Sequence, residues 1–252
     1  VQASVGQLLR DWRQRRSLTQ SALADRASVS TRHLSYIETG RSRPTSAMIV
    51  HLCDHLAVPL RERNQVLLSA GFAPAYPEHS LGDPPMMEAN AALEALLAAQ
   101  SPCPALVIDR QWDLVTANAA AFALLDGVDA DVLEPPVNVV RLTLHERGLA
   151  RRIVNFDEWR AQLAARLRRE FDISADPEVR QLLDEATSGL RDTPAAAALV
   201  VPLRLLRPDG QTLSFISTTT VFGTPREVTL SELAIETFYP ADDATRALLG
   251  SR

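Results

Sequence analysis

Four hydroxyl-bearing residues, Ser4, Thr19, Ser30 and Thr45, each stand just ahead of a segment whose apolar residues repeat at helical spacing. A Ser or Thr oxygen accepts from an amide that the first helical turn leaves unpaired, so caps this close together commit the segment to short helices. The first is expected from about Val5 to Arg16, with Val5, Leu8, Leu9 and Trp12 on one face and capping-box spacing in Ser4-Val-Gly-Gln7. A second runs from Gln20 to Ala27, and a third from Thr31 to Thr39, with Leu34 and Ile37 as its core pair and Gly40 as its stop. Thr45 opens a fourth carrying Ile49, Leu52 and Leu56, and Pro59 opens a fifth with Val66 and Leu67 that ends at Gly71. The result is an all-α domain of five helices over residues 1–72.

At 252 residues the chain has room for a second domain. Its net charge of −5 hides a split: residues 1–78 hold ten arginines against six acids, a net +4, which leaves −9 for the remainder. A basic head points to nucleic acid and an acidic remainder to a different task. The sequence contains no lysine, so all 26 basic residues are arginine. With 46% hydrophobic and 23% charged residues the chain is expected to fold. Its longest apolar stretches, such as Ala195 to Leu203, fall short of the roughly 20 residues a bilayer crossing takes, and the N-terminus lacks an apolar signal core. A cytoplasmic protein without membrane contact is expected, with Cys53 and Cys103 outside any disulfide.

On the third helix Thr31, Arg32, Ser35 and Tyr36 point largely outward. Leu18-Thr-Gln-Ser-Ala-Leu-Ala24, Val29-Ser30, Leu34-Ser-Tyr-Ile-Glu-Thr-Gly40 and Arg43-Pro44 together resemble the helix-turn-helix of the Xre and lambda-repressor class. One departure is Ser28, where that class commonly has glycine, which adds strain if its φ is positive. The resemblance implies a recognition helix entering the major groove N-terminus first. Arg32 would then meet guanine O6 and N7 with its fork, Thr31 and Ser35 would make shorter contacts, and Tyr36 would pack on sugar or a thymine methyl. His33 either leans to a phosphate or stays solvated. By resemblance Gln20 braces the phosphate backbone while Arg41 and Arg43 neutralise phosphates; taken singly, each arginine reads equally as a solvated surface charge.

Four prolines and Gly82 between Ala73 and Pro85 mark a linker, and a helix from Met86 to Ala99 follows, with Leu93, Leu96 and Leu97 apolar. That helix either joins the domains or pairs with its copy in a dimer, and linker and helix together span 73–103. Ala105 to Asp109 and Leu114 to Asn118 read as a hairpin, followed by a helix from Ala119 to Leu125 and irregular segments from Pro135 to Val154. Asn155-Phe-Asp-Glu158 has capping-box chemistry and opens a helix to about Glu170; Asp176-Pro177 opens another to Ser188. Ala198 to Leu206, Leu213 to Phe222 and Val228 to Phe238 read as strands, the first two joined at Pro208-Asp-Gly210. Residues 104–250 are thus an α+β domain with an antiparallel sheet of about five strands. Ser214 and Ser217 to Thr220 face either a partly polar interior or solvent, and alternation alone does not choose.

This half resembles the ligand-binding domain of MmyB-like regulators. The resemblance lies in Ala105-Leu-Val-Ile-Asp-Arg-Gln-Trp-Asp-Leu-Val-Thr-Ala-Asn118, Pro136 to His145, Gly148 to Asn155 with Trp159, Phe222-Gly-Thr-Pro225 and Leu233 to Pro240. It implies a PAS-like sensor of an apolar small-molecule effector, a fatty acid or similar metabolite, in a dimeric bacterial regulator. Its double-stranded DNA operator would carry two half-sites. Trp112, Phe122, Phe156, Trp159, Phe215, Phe222 and Phe238 are candidate pocket walls, although most aromatics in such a domain are core. Asn118, Arg141 and His145 are candidate anchors for a carboxylate or hydroxyl; the alternatives are a backbone bond at the strand-to-helix corner for Asn118 and an ion pair for Arg141.

No resident cofactor, metal ligand or catalytic residue is assigned, since the sequence reads as having no Gly-rich phosphate loop, no His-x-x-x-His metal pair and no nucleophile elbow. Haem or flavin sensing through Cys103 or His145 is a rival reading. So is an antitoxin-like regulator controlled by a protein partner.

Overall fold

The computed structural model describes residues 3–189 and 200–250. They form two compact units, Val1–His79 with Pro225–Ser231, and Ser80–Thr224 with Glu232–Arg252.

The first unit holds α1 (Val5–Arg15), α2 (Gln20–Arg26), α3 (Thr31–Glu38), α4 (Ser46–His55) and α5 (Leu60–Ser69). Ser4, Thr19, Ser30 and Thr45 each accept from the amide three residues on, so the four caps work as the sequence reading expects. The Gln7 side chain donates to Asp11 rather than turning back to Ser4, which leaves the capping box closed on one side. All five helices end in the same way, on a left-handed residue flanked by two backbone bonds that satisfy the last carbonyls. Those residues are Ser17, Ser28, Gly40, Ala57 and Gly71, with φ between +48° and +82°. Only two are glycine, so Ser17, Ser28 and Ala57 carry a Cβ where it crowds the following carbonyl. After four of the five ends the next residue, Leu18, Val29, Val58 or Phe72, packs into the core of Leu9, Trp12, Leu23, Leu34, Ile37, Ile49 and Leu52. At the end of α3 the same position is Arg41, which is exposed.

The second unit opens with α6 (Met87–Ala99), β1 (Ala105–Ile108), β2 (Leu114–Ala117), α7 (Ala119–Phe122) and α8 (Val139–Leu144). It continues through α9 (Phe156–Ser174), α10 (Pro177–Thr187), β3 (Leu203–Leu206), β4 (Thr212–Val221), β5 (Ala234–Pro240) and α12 (Asp243–Gly250), while α11 (Val228–Glu232), between β4 and β5 in the chain, lies in the first unit apart from its last residue. The sheet is antiparallel in the order β2-β1-β5-β4-β3. Leu163, Leu167, Leu182 and Leu183 of α9 and α10 cluster with Ile108 and Trp112.

Three expectations need correction. Residues 135–154 are not wholly irregular, because Asn138 caps α8 by accepting from the Arg141 amide. The segment 228–238 is not one strand: its first turn is α11, and β5 begins at Ala234. Asn155 does not cap α9; its amide donates to Pro202 O and accepts from Arg204 N, fastening β3 instead. In the strand expected over 198–206, residues 198 and 199 lie outside the described residues, and β3 occupies Leu203–Leu206.

The segment between β4 and β5 belongs to the first unit. Val228 is fully buried there and donates to Pro77 O, the Thr229 hydroxyl donates to His79 O, and the His79 amide donates to a Glu227 carboxylate oxygen. Among the described residues no helix is long and apolar enough to cross a membrane. Both cysteines are free thiols, and burial pushes Cys53 up to about 12.

Candidate DNA-reading face and sensor cavity

The orientation of α3 is fixed by two contacts with α1. Arg13 clamps Glu38 at the end of α3 through Nε at 2.6 Å and Nη2 at 2.8 Å, with the side chains 9% and 1% exposed. Burial pushes the Glu38 carboxyl up, but hydrogen bonds from Arg13 and Gln20 and the charges of Arg13 and Arg10 outweigh it, leaving Glu38 below its ordinary range. The second contact is at Gly6, where a Cβ would stand 2.4 Å from Ile37 O and 2.8 Å from Glu38 O, so α1 crosses α3 at a point that admits glycine alone. Neither contact was named from the sequence, because helical periodicity ranks a glycine and a charged pair 25 residues apart as ordinary surface.

On this fixed helix Thr31 and Arg32 are exposed, while His33, Ser35 and Tyr36 are half-buried. The Arg32 Nε donates to Tyr36 Oη at 2.9 Å, and the Arg32 and Arg41 guanidinium carbons lie 5.3 and 5.9 Å from the Tyr36 ring centroid. Arg41 thus packs on the ring at the end of α3 where the other helices use an apolar residue. Arg32, Tyr36 and Arg41 form one cluster. Gln20 and Arg43 have structural partners: Gln20 Nε2 donates to Glu38 at 2.8 Å, and Arg43 Nη2 donates to Ala70 O at 3.0 Å, tying the loop to the end of α5. On α4, His51 and His55 stand at His-x-x-x-His spacing with rings 4.7 Å apart, which corrects the sequence reading that no such pair is present. His51 Nε2 is 2.7 Å from Ala27 O, and no group of three metal-ligating side chains occurs among the described residues.

In the second unit a cavity of about 130 Å³ lies between the inner face of the sheet and its helices. Trp112, Trp159 and Phe238 line it, as do Leu106, Leu163, Leu205 and Ser217. Strand register therefore divides the polar residues of β4: Ser217 faces the cavity, while Ser214, Thr218 and Thr220 alternate onto the opposite face. Arg166 and Glu236 form the charged side, paired at 2.7 Å, and the Arg166 guanidinium stacks 4.4 Å from the Trp112 ring centroid. Trp112 holds φ +67° and donates through Nε1 to Glu170 at 3.1 Å. Burial pushes the Glu170 carboxyl up against the opposing pull of Arg166 and the indole bond.

The other candidate anchors and walls lie elsewhere. Asn118 is saturated at the corner after β2: its Oδ1 accepts from Ala105 N and Ala121 N, and its Nδ2 donates to Leu97 O and Cys103 O. Arg141 makes a two-toothed pair with Glu185, both bonds 3.0 Å, and the His145 Nδ1 accepts from Arg147 N. Phe122 is 49% exposed, Phe156 and Phe215 pack in the cluster of Leu203, Leu205 and Leu213, and Phe222 follows the end of β4. Of these, none lines the cavity. Sequence reasoning favoured aromatics and missed the leucines and the Arg166–Glu236 pair, which no local pattern marks.

A family model described as MmyB-like transcription regulator ligand binding domain matches residues 89–251, and one described as helix-turn-helix domain matches residues 4–66. Among curated proteins, the transcriptional regulator ClgR of Mycobacterium tuberculosis, in strains CDC 1551 / Oshkosh and ATCC 25618 / H37Rv, is 38% identical over 71 residues. That alignment spans 28% of this chain and 61% of ClgR, less than two thirds of the relative's length. A solved RNA-binding light-oxygen-voltage receptor aligns at 16% identity over 98% of this chain and 63% of its own, with a TM-score of 0.28. A likeness that loose carries no argument.

Proposed function

We propose that this chain, which belongs to the MmyB-like transcription regulators, reads an operator with the exposed face of α3 and adjusts that reading to an apolar small molecule held against its C-terminal sheet. The observation that carries the sensing half is the cavity itself, bounded by Trp112, Trp159 and Phe238 and bordered by the Arg166–Glu236 pair. Packed interiors keep few voids, so retained space beneath a sheet marks a place where a ligand can replace missing contacts. A fatty acid or related metabolite is the ligand class that we favour, in a PAS-like domain without a resident cofactor. At about 130 Å³ the cavity is below the ~300–1,000 Å³ usual for ligand sites, so a long acyl chain requires it to widen.

The DNA half rests on the cluster of Arg32, Tyr36 and Arg41. Arg32 would swing from Tyr36 to a guanine edge, Thr31 and Ser35 would make the shorter base contacts, and His33 and Arg41 would meet phosphate. Gln20 and Arg43 would assist chiefly by holding α3 and the loop in place. A homodimer on two half-sites would supply affinity that one head lacks. A ligand changes operator affinity only by preferring one arrangement of the protein, and the effect is reciprocal.

The test is native mass spectrometry of the purified protein, followed by titration of any released molecule with and without saturating operator. A bound small molecule whose affinity shifts about 5- to 150-fold on adding operator supports the reading. Equal affinities in both titrations overturn it.

A further inference from the structure

We infer that the seven residues Pro225–Ser231 are a latch through which the state of the cavity reaches the head: filling the cavity strains the β4–β5 connection and frees it from residues 77–79. The inference deepens the sensing role given above and rests on it. The chain passes between the two units three times, once after His79 and twice around this segment. Those last two passes leave and enter two strands that line the cavity. Ser217 of β4 and Phe238 of β5 are register partners and both border the space, and the strands stay paired up to Val221 and Ala234. Widening the cavity displaces these strands, while the middle of their connection is held in the first unit.

The latch is small and incompletely satisfied. Of its residues Val228 alone is buried. Val228 N donates to Pro77 O at 2.9 Å, the Thr229 hydroxyl to His79 O at 2.7 Å, and His79 N to Glu227 Oε1 at 2.8 Å. The other Glu227 oxygen accepts from Leu230 N at 2.6 Å, so one carboxylate holds both the latch and the turn behind it. His79 Nδ1 is buried, makes no hydrogen bond and stands 3.7 Å from Glu227 Oε1; among the described residues no other buried side-chain nitrogen or oxygen lacks a partner. An unsatisfied buried nitrogen raises the energy of the closed latch, and opening returns it to water. From residues 77–79 the hold continues toward the reading face within the same unit. Asn64 of α5 accepts from Ala75 N and Tyr76 N and donates to Tyr76 O, and Arg43, in the loop after α3, donates to Ala70 O at the end of α5. Opening the latch therefore changes what supports α5 and the loop that carries Arg41 and Arg43.

The experiment uses the full chain and fills the cavity without a ligand. Ser217→Leu puts an apolar side chain into the space from β4 and lies outside the latch. Hydrogen exchange read by mass spectrometry is expected to show amides 225–231 exchanging about fivefold or more faster than in the unaltered protein, the low end of coupling between sites. His79→Leu removes the unsatisfied nitrogen and should slow exchange of the same amides. Operator binding is measured on a duplex selected by the unaltered protein from a random-sequence pool. Ser217→Leu should change that affinity by about fivefold or more. In a protein that also carries Glu227→Ala and Thr229→Val, which leave the latch open, Ser217→Leu should change it by less than about twofold.

Exchange at 225–231 that ignores Ser217→Leu overturns the inference. So does an operator affinity that responds to Ser217→Leu equally with the latch intact and open, because the signal then travels by the linker after His79. If Ser217→Leu fails to fold, Ser217→Val, which adds less volume, takes its place in both measurements, and Thr229→Val alone replaces the doubly altered latch. The sensing role is decided separately: a small molecule released from the protein whose affinity shifts with operator keeps it even when the latch fails, and equal affinities remove it even when Ser217→Leu opens the latch.

Discussion

The two units bury their charges in opposite surroundings. In the first, Arg13, Glu38 and Gln20 close on one another with their hydrogen bonds satisfied and packed helices on every side. In the second, Glu170, Trp112, Arg166 and Glu236 form a chain of similar polarity, the last three of which line the cavity. A closed pair in a filled core has one low-energy geometry, whereas a network beside a void keeps room to rearrange. A reading head must hold its helix at a fixed angle and a sensor must yield to its ligand, so the same side-chain types serve rigidity in one unit and adaptability in the other.

The largest expected effect comes from breaking the closed pair. Glu38→Gln leaves Arg13 buried beside a neutral partner and is expected to lower the stability of the first unit by about 3–5 kcal/mol, measured by calorimetry of the whole chain. A change below about 1 kcal/mol would mean that water reaches the pair. Cavity-wall leucines sharpen the contrast. Leu34→Ala in the filled core should lie near ~5 kcal/mol, while Leu163→Ala at the cavity should lie nearer ~2, because part of its contact surface is already missing. Equal losses would show that the void closes in solution.

Next in size is the base contact. Arg32→Ala should weaken operator binding by about 1–3 kcal/mol and relax preference at one base position in each half-site; equal weakening on random DNA would reassign Arg32 to phosphate. Arg41→Ala should instead lower the salt slope by about one unit on any sequence. Acid separates the two units again, with opposite signs. Glu38 sits below its unfolded value, so its contribution is present above the ordinary carboxylate range and is lost as pH falls through the folded value. Glu170 sits above its unfolded value, so its contribution is fully present at low pH and fades as pH rises through the folded value. Unfolding followed from pH 7 to pH 4 should therefore bring the two transitions closer or farther apart rather than move them in parallel. The smallest effect is expected at the helix ends: Ser28→Gly and Ala57→Gly each relieve a left-handed Cβ and should stabilise the first unit by up to about 1 kcal/mol.

What could be read in advance followed the range of the interactions. The five helices of the first unit were legible almost to the residue, because each is bounded by a cap that acts over three or four positions. The hairpin of β1 and β2 and the turn at Gly210 were legible for the same reason. Short α8 and α11, of six and five residues, show no full period, so from sequence alone they read as irregular chain and strand. At the candidate site, Arg32 and Tyr36 stood out because recognition-helix positions are local, whereas Arg166 and Glu236, 70 residues apart, meet only in the folded sheet. Trp112 was named as an aromatic wall, but its left-handed backbone and its bond to Glu170 leave no mark in the sequence.

The seven residues Pro225–Ser231, which lie between β4 and β5 in the chain yet complete the helical unit, limit how such regulators can be recombined. Cutting once after His79 and transplanting the helices would leave behind Val228, whose burial and bond to Pro77 belong to the transplanted part. A working chimera has to carry the distant loop along with its head. Over generations, substitutions at 77–79 and at 227–229 should accordingly be inherited as a set, although some 150 positions separate them.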